Sequence, residues 1–408
     1  MRRTPGGILY SLVTLHLGFD FNADEYKVMG LARYGDPARF RRFFDDIVHL
    51  RAGGSIRIPV LRRNHTREEG ENYTATRQYL TDHLLPARHP DEELTAVHRD
   101  VAAALQECLE KVILHICGHF GNATGMRRLA LAGGVALNCT ANGQLLNSGW
   151  FDDIYVQPAA GDDGSALGAA LYRAARAGEI SNARFPAPFL GPAYSTYEIE
   201  AALAEFGDSI EIQRSPDLAR TCAHAAEKIA EGSVIAWYRG RMEFGSRALG
   251  NRSILADPSR PEMRDRINSM VKRREEFRPF APAVSAERVH RCFDVTPGTE
   301  LPCMVAAVDV RQEFRSVLSA VTHVNGSARV QTVSPVDNPE FHALLQAVGK
   351  LTGREILLNT SFNANGQPMS IHRARRSKPS SPPALITSSW KMLWWLNRHA
   401  RWRIGPSR

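Results

Sequence analysis

Arginine and glycine interleave over Arg239-Gly240-Arg241-Met242-Glu243-Phe244-Gly245-Ser246-Arg247-Ala248-Leu249-Gly250-Asn251-Arg252. A guanidinium offers a planar fork of donors that fits phosphate or carboxylate, and glycine lets backbone close on an anion. The implied chemistry is anion binding; the plainer reading is a solvated basic face. Lys272 and Arg278 follow in Lys-Arg-Arg-Glu-Glu-Phe-Arg-Pro-Phe, beside two phenylalanines and a proline, as half-buried cations would be. Arg329 stands alone in a β-like segment, Ala328-Arg329-Val330-Gln331. Leu357-Leu358-Asn359-Thr360-Ser361-Phe362-Asn363 sets three small polar residues after an apolar strand. They could face a ligand or form a turn. Two further clusters lie earlier. Leu131-Ala132-Gly133-Gly134-Val135-Ala136-Leu137-Asn138 joins a strand to a helix, where free N–H groups can meet a nucleotide or merely make a tight turn. Gly161-Asp162-Asp163-Gly164-Ser165 sets two carboxylates at a strand end, where they could hold a divalent cation or cap the next helix.

The elements that must position these residues follow from periodicity. Val97, Val101, Leu105, Leu109, Val112 and Ile116 recur at helical spacing between Asp91 and Phe120. Short apolar runs at Arg128–Leu131 and Ile154–Gln157 read as strands, and Ala-rich Ser165–Ala177 as a helix. Ile8–Phe19 reads as an amphipathic segment, and residues 52–90 as a polar, irregular excursion. Residues 181–196, with three prolines and a glycine, read as a linker. Beyond it, helices are predicted at Leu218–Glu231, Glu262–Val271 and Asn338–Leu351, and strands at Val234–Tyr238, Met304–Val310 and Ile356–Leu358. Asn338 and Pro339 form a helix-start signature. The alternation argues an α/β chain, and 408 residues call for more than one domain.

Taken in order, these motifs, together with Glu25-Tyr26-Lys27-Val28-Met29-Gly30-Leu31-Ala32 and Phe277-Arg278-Pro279-Phe280-Ala281-Pro282, closely resemble the O-carbamoyltransferases of nodulation-factor and antibiotic biosynthesis. The resemblance spans about residues 7–369. It implies that residues 1–185 are the C-terminal part of an actin-like, ribonuclease H-like domain similar to the threonylcarbamoyl-tRNA transferase fold. Residues 186–369 would then be a YrdC-like domain, with 370–408 as a separate tail. It further implies that carbamoyl phosphate and ATP form a carbamoyl-adenylate, whose carbamoyl group passes to a hydroxyl of a small molecule or glycan. By resemblance, Arg247, Lys272, Arg278 and Arg329 match the cations for those two polyanions, with Asn359 and Ser361 beside them. Gly133, Gly134 and Asn138 match the nucleotide-contacting turn. Asp162, with Asp163 as alternative, matches the aspartate for a divalent Fe²⁺, Mn²⁺ or Mg²⁺. The same resemblance leaves room for a homodimer.

Two departures set further expectations. The family's paired metal-binding histidines precede the region that aligns here, and His16 does not replace them. The metal site is therefore expected to be incomplete and the activity reduced. Residues 370–408 hold nine Lys or Arg, no Asp or Glu, four tryptophans and four prolines, which suggests a frame-shifted end. They also carry the whole excess of charge behind the +8 total, so the basic composition argues little for nucleic acid. Six scattered cysteines without a Cys-x-x-Cys pair fit a reducing cytoplasm better than a zinc site. Arg2 and Arg3 before apolar Gly7–Leu17 imitate a signal peptide, but no small-residue cleavage site follows. No apolar run is long enough to span a membrane. Two alternatives stay open: a threonylcarbamoyl-adenylate enzyme of tRNA modification, and a non-catalytic basic nucleic-acid binder.

Overall fold

The computed structural model describes residues 5–179, 187–204, 213–272 and 275–363. The expected tail, residues 364–369 at the end of the expected second domain and residues 181–186 of the expected linker lie outside these residues. The chain divides into two compact units at Asp162–Asp163. It is mixed α/β, as the alternation requires.

The first unit begins with helix α1 (Pro5–His16), which is more deeply buried than an amphipathic segment would be: Leu9, Tyr10, Leu12 and Val13 are all in the core. Helices α2 (Glu25–Leu31) and α3 (Ala38–Ile47) follow, then an antiparallel pair of short strands, β1 (His49–Arg51) and β2 (Ser55–Arg57). The stretch 52–90 is not irregular. It contains α4 (Arg67–Asn72) and α5 (Thr74–His83). Thr66 and Glu69 start α4 by a reciprocal capping box, and Thr76 and Leu80 bury the inner face of α5. The polar composition hid a helix pair stabilised by local caps and few apolar anchors. The organising element is α6 (Ala96–Thr124), 29 residues long, which begins at a Thr95–His98 box and ends on left-handed Gly125. Strand β3 (Arg128–Leu131), helix α7 (Cys139–Asn147) and strand β4 (Asp153–Val156) complete the unit, with β3 and β4 paired in parallel.

The second unit opens with α8 (Ser165–Arg176), none of whose residues is buried, and α9 (Thr196–Ala204). Its core lies between α10 (Leu218–Ala230) and a five-stranded sheet. The strands are β5 (Ile235–Tyr238), β6 (Arg252–Ala256), β7 (Ala281–Ser285), β10 (Gln331–Val333) and β11 (Ile356–Ser361). Between them lie α11 (Glu262–Ile267), α12 (Val289–Cys292), the antiparallel pair β8 (Ala307–Asp309) and β9 (Ser327–Arg329), and α13 (Pro339–Thr352). The spatial order is β10-β7-β11-β6-β5, with only β10 and β7 parallel. One sheet face supplies Ile235, Trp237, Leu255, Ala283, Val333 and Leu357. These pack on Cys222, Ala225 and Ile229 of α10 and on Phe341, Leu344, Leu345 and Val348 of α13. The Asn338–Pro339 start predicted for α13 is present: the Asn338 side chain accepts from Phe341 N at 3.1 Å, and Gly353 ends the helix at φ +75°.

Candidate functional site

The topology places the sequence-predicted cations at one end of the five-stranded sheet. Strands β5 and β11 finish there, at Tyr238 and Ser361. Strands β6, β7 and β10 start there: Tyr238 pairs with Arg252, Ser361 with Ser253, Asn359 with Ala281, and Gln331 with Ala283. Arg247 lies just before β6, Arg278 just before β7, and Arg329 just before β10. Asn359 and Ser361 lie at the finish of β11. They continue the strand three pairs beyond its predicted end at Leu358 and do not form a turn.

Contacts tie these residues together. Past α11 the chain makes a wider helical turn, Asn268–Lys272, which delivers the buried Lys272 ammonium to the end of β11. It meets Ser361 O and Oγ, the latter at 3.1 Å, and Asn363 O and Oδ1 at 3.0 and 2.7 Å. Four oxygens for three donors satisfy a charge that would be costly to bury alone. Ser361 Oγ in turn donates to Asn363 Oδ1. Arg278 reaches Glu275 at 3.4 Å.

The loop carrying Arg247 is held from within. Glu243 is 4% exposed, and its Oε1 accepts from the amides of Leu249, Asn251 and Arg252 at 2.8, 2.8 and 3.0 Å. Arg252 is buried against the Tyr238 ring and donates to the carbonyls of Arg239, Asn251, Gly240 and Pro192. Burial lowers its pKa, countered by Tyr238 and Glu243. Arg239 is paired with Glu340 at the start of α13. Two of the loop's four arginines are therefore structural, which the sequence could not separate from Arg247. Gly250 has φ +107°, and a Cβ there would lie 2.2 Å from Phe341 Cδ1. Sequence reasoning also passed over Gln331. Its signal was available: a polar residue two positions from Arg329 in a strand whose residues are buried.

The earlier clusters are arranged differently. Gly133, at φ +96°, hydrogen-bonds Ala160 O at 2.7 Å, so the Gly133-Gly134 turn lies against the loop that leads to Asp162. A Cβ at either glycine would meet open space. Asn138 is buried and caps α7 through Ala141 N at 3.0 Å. Its amide also exchanges hydrogen bonds with Gln106 of α6, which in turn accepts from Tyr10. Asp162 and Asp163 are exposed and do not cap α8, whose first turn starts from Gly164 without a side-chain cap. The capping reading is thus corrected: α8 follows the short turn Asp162–Gly164 with Gly164 at its cap position and no side-chain hydrogen bond to its first turn. Among the described residues no group of three or more His, Cys, Asp or Glu could hold a metal ion. Two exposed carboxylates do not fit a divalent metal that takes several oxygen or imidazole ligands, and no step is routed through one.

Comparison with known proteins agrees with the order of these motifs. The family model for the carbamoyltransferase N-terminus matches residues 5–171, and that for the carbamoyltransferase C-terminus matches residues 226–378. Nodulation protein NolO of Bradyrhizobium diazoefficiens is 45% identical over 372 residues, covering 89% of this chain and 64% of its own. Nodulation protein NolNO of Sinorhizobium fredii is 45% identical over 366 residues, covering 89% of this chain and 51% of its own. The 3'-hydroxymethylcephem-O-carbamoyltransferase of Streptomyces clavuligerus is 39% identical over 244 residues, covering 58% of this chain and 43% of its own. The chain thus spans between half and two thirds of the length of the two nodulation proteins. Arg247, Lys272, Arg278, Arg329, Asn359 and Ser361 all fall inside the C-terminal match, and the chain belongs to the carbamoyltransferase family.

Proposed function

We propose that the chain is a carbamoyl-transferring enzyme whose second unit binds carbamoyl phosphate and ATP to form a carbamoyl-adenylate, for O-carbamoylation of a small molecule or glycan. The observation that carries this reading is the gathering of Arg247, Lys272, Arg278 and Arg329 at one sheet end, with Asn359 and Ser361 between them. Two polyanions cannot share a site without fixed positive charge, and preorganised cations also stabilise the charge shifted during phosphoryl chemistry. Lys272, held by neutral oxygens of Ser361 at the end of β11 and of Asn363 just past it, is set in place before any anion arrives. In this reading water cleaves carbamoyl phosphate to carbamate and inorganic phosphate, the carbamate oxygen then attacks the α-phosphorus of ATP, and pyrophosphate leaves, so that the adenylyl group activates the carbamoyl carbon. The actin-like and YrdC-like assignments and the nucleotide contacts of Gly133, Gly134 and Asn138 belong to the same reading.

The test is pyrophosphate–ATP exchange by the purified chain. Label is expected in ATP only when carbamoyl phosphate is present. Arg247→Ala should lower the rate about 10–100-fold, the ~1.5–3 kcal/mol of one hydrogen bond to a charged group. Exchange without carbamoyl phosphate, or no exchange at all, would refute the reading.

A further inference from the structure

Strand β10 carries a residue that no motif singled out, and it fixes the orientation of Asn359. Gln331 Nε2 donates to the backbone carbonyl of Leu249 at 2.8 Å. A carbonyl oxygen accepts but never donates, so the amide nitrogen of Gln331 must face Leu249 and its Oε1 must face the other way. That Oε1 accepts from Asn359 Nδ2 at 2.8 Å. Asn359 Nδ2 also donates to the backbone carbonyl of Ala248 at 3.2 Å. Both N–H bonds of Asn359 are thereby used on the protein. Turning the amide over would set oxygen against the Ala248 carbonyl and against Gln331 Oε1. The chain of contacts, anchored on two backbone carbonyls, leaves one arrangement.

The consequence is Asn359 Oδ1. Asn359 is 1% exposed, and its Oδ1 is buried with no hydrogen-bond partner among the described residues. An acceptor buried without a donor costs about 1–3 kcal/mol. This one lies where β11 finishes, next to the loop of Arg247 and on the same strand face as Ser361, which touches Lys272. It can accept and cannot donate. We infer that Gln331 is a positioning residue that locks Asn359 with its oxygen toward the ligand, so that this site selects an acyl phosphate bearing an N–H group over one that lacks it. This rests on the proposed binding of carbamoyl phosphate at this sheet end and adds the basis of selection. Carbamoyl phosphate presents an NH₂ where acetyl phosphate presents a methyl. A site built to meet an N–H rejects the analogue without it far more strongly than an apolar pocket rejects a missing methylene, because the buried acceptor is then left unmatched.

The experiment is calorimetric titration of the full chain with carbamoyl phosphate and, separately, with acetyl phosphate, in wild type, Gln331→Met and Gln331→Glu, with a melting curve for each. The wild type should bind carbamoyl phosphate at least tenfold more tightly. Gln331→Met keeps the length of the side chain and removes both of its hydrogen bonds, leaving the longer 3.2 Å bond to the Ala248 carbonyl as the one remaining hold on the Asn359 amide and loosening its orientation. The preference should fall to within about threefold. Gln331→Glu still offers Asn359 an acceptor, ionised or protonated, and should keep the preference even where overall affinity or melting temperature drops. A purely structural role for Gln331 predicts loss that follows the melting temperature, equal for both ligands. Preference retained in Gln331→Met, or lost equally in Gln331→Glu, overturns the inference while the functional reading stands. Wild type that binds neither ligand overturns both, and wild type that binds both alike overturns the inference alone.

Discussion

Replacing Glu243 with alanine takes one acceptor from three amides at once, those of Leu249, Asn251 and Arg252. Each buried N–H left without a partner costs about 1–3 kcal/mol, and Glu243→Ala is expected to lower unfolding free energy by at least ~3 kcal/mol in denaturant titrations. Glu243→Gln keeps the accepting oxygen and should cost about 1 kcal/mol, losing the charge-assisted part alone. Glu110 on α6 makes an opposite case. Burial, partly offset by the Gln106 amide at 2.8 Å, holds its pKa above the ordinary carboxylate value. The folded state therefore keeps this proton after the unfolded chain has released it. Its contribution is present below the unfolded pKa near 4.5 and is lost as pH rises toward the folded value. Glu110→Gln removes that loss and should raise stability at pH 7 relative to wild type, with little difference at pH 4. The same difference at both pH values would contradict the assignment. The six cysteines are buried, and for Cys108, Cys222 and Cys303 burial pushes the thiol up to about 12. They are expected to resist thiol-disulfide reagents at pH 8 until the chain is denatured.

At the level of elements, the Arg247 loop depends on how closely it approaches α13. Gly250 combines φ +107° with a position where an added Cβ would overlap the Phe341 ring. Gly250→Ala must therefore strain the backbone and displace a core aromatic, and a loss of about 3 kcal/mol or more is expected by thermal melting. Gly353→Ala, at φ +75° with open space around it, should cost only the conformational part, about 1 kcal/mol. Phe341 itself shows why α13 was legible in the sequence: its apolar period and the Asn338–Pro339 start are local signals, and both survive folding. Strands β3 and β5 were legible for the same reason. Strands β6 and β7 were not. Arg252-Ser253-Ile254-Leu255-Ala256 begins in a basic loop, and Ala281–Ser285 contains Pro282, so neither reads as a central strand until β11 is placed between them. Pairing partners distant in sequence decide such segments, and no window contains them. The same holds for the site. Its cations were legible by type and by resemblance. The Gln331–Asn359–Ala248 linkage was not, since it joins three segments more than 25 positions apart.

Over the whole molecule the charge separates into parts with different consequences. The chain has 51 basic and 43 acidic residues, and positions 370–408 hold nine of the basic and none of the acidic, leaving 42 against 43 elsewhere. Within that near-neutral remainder, residues 239–278 hold eleven basic residues against six acidic. Of these, Arg239 and Arg252 are engaged inside the unit, and Arg260 and Arg266 donate to carbonyls at the end of α10, Ala230 and Gly232. The cluster is thus in large part committed to holding the fold, with Arg247, Lys272 and Arg278 at the sheet end. Such a distribution suits a compact polyanion drawn to one point and does not make the continuous stripe that tracks a nucleic-acid backbone. Deletion of residues 370–408 is therefore expected to abolish salt-dependent retention of the chain on duplex DNA or on RNA in a filter-binding assay. It should leave binding of carbamoyl phosphate within about threefold of the full chain. Nucleic-acid binding that persists in the shortened chain, with a salt slope of several phosphates, would instead assign the basic cluster to a polynucleotide partner.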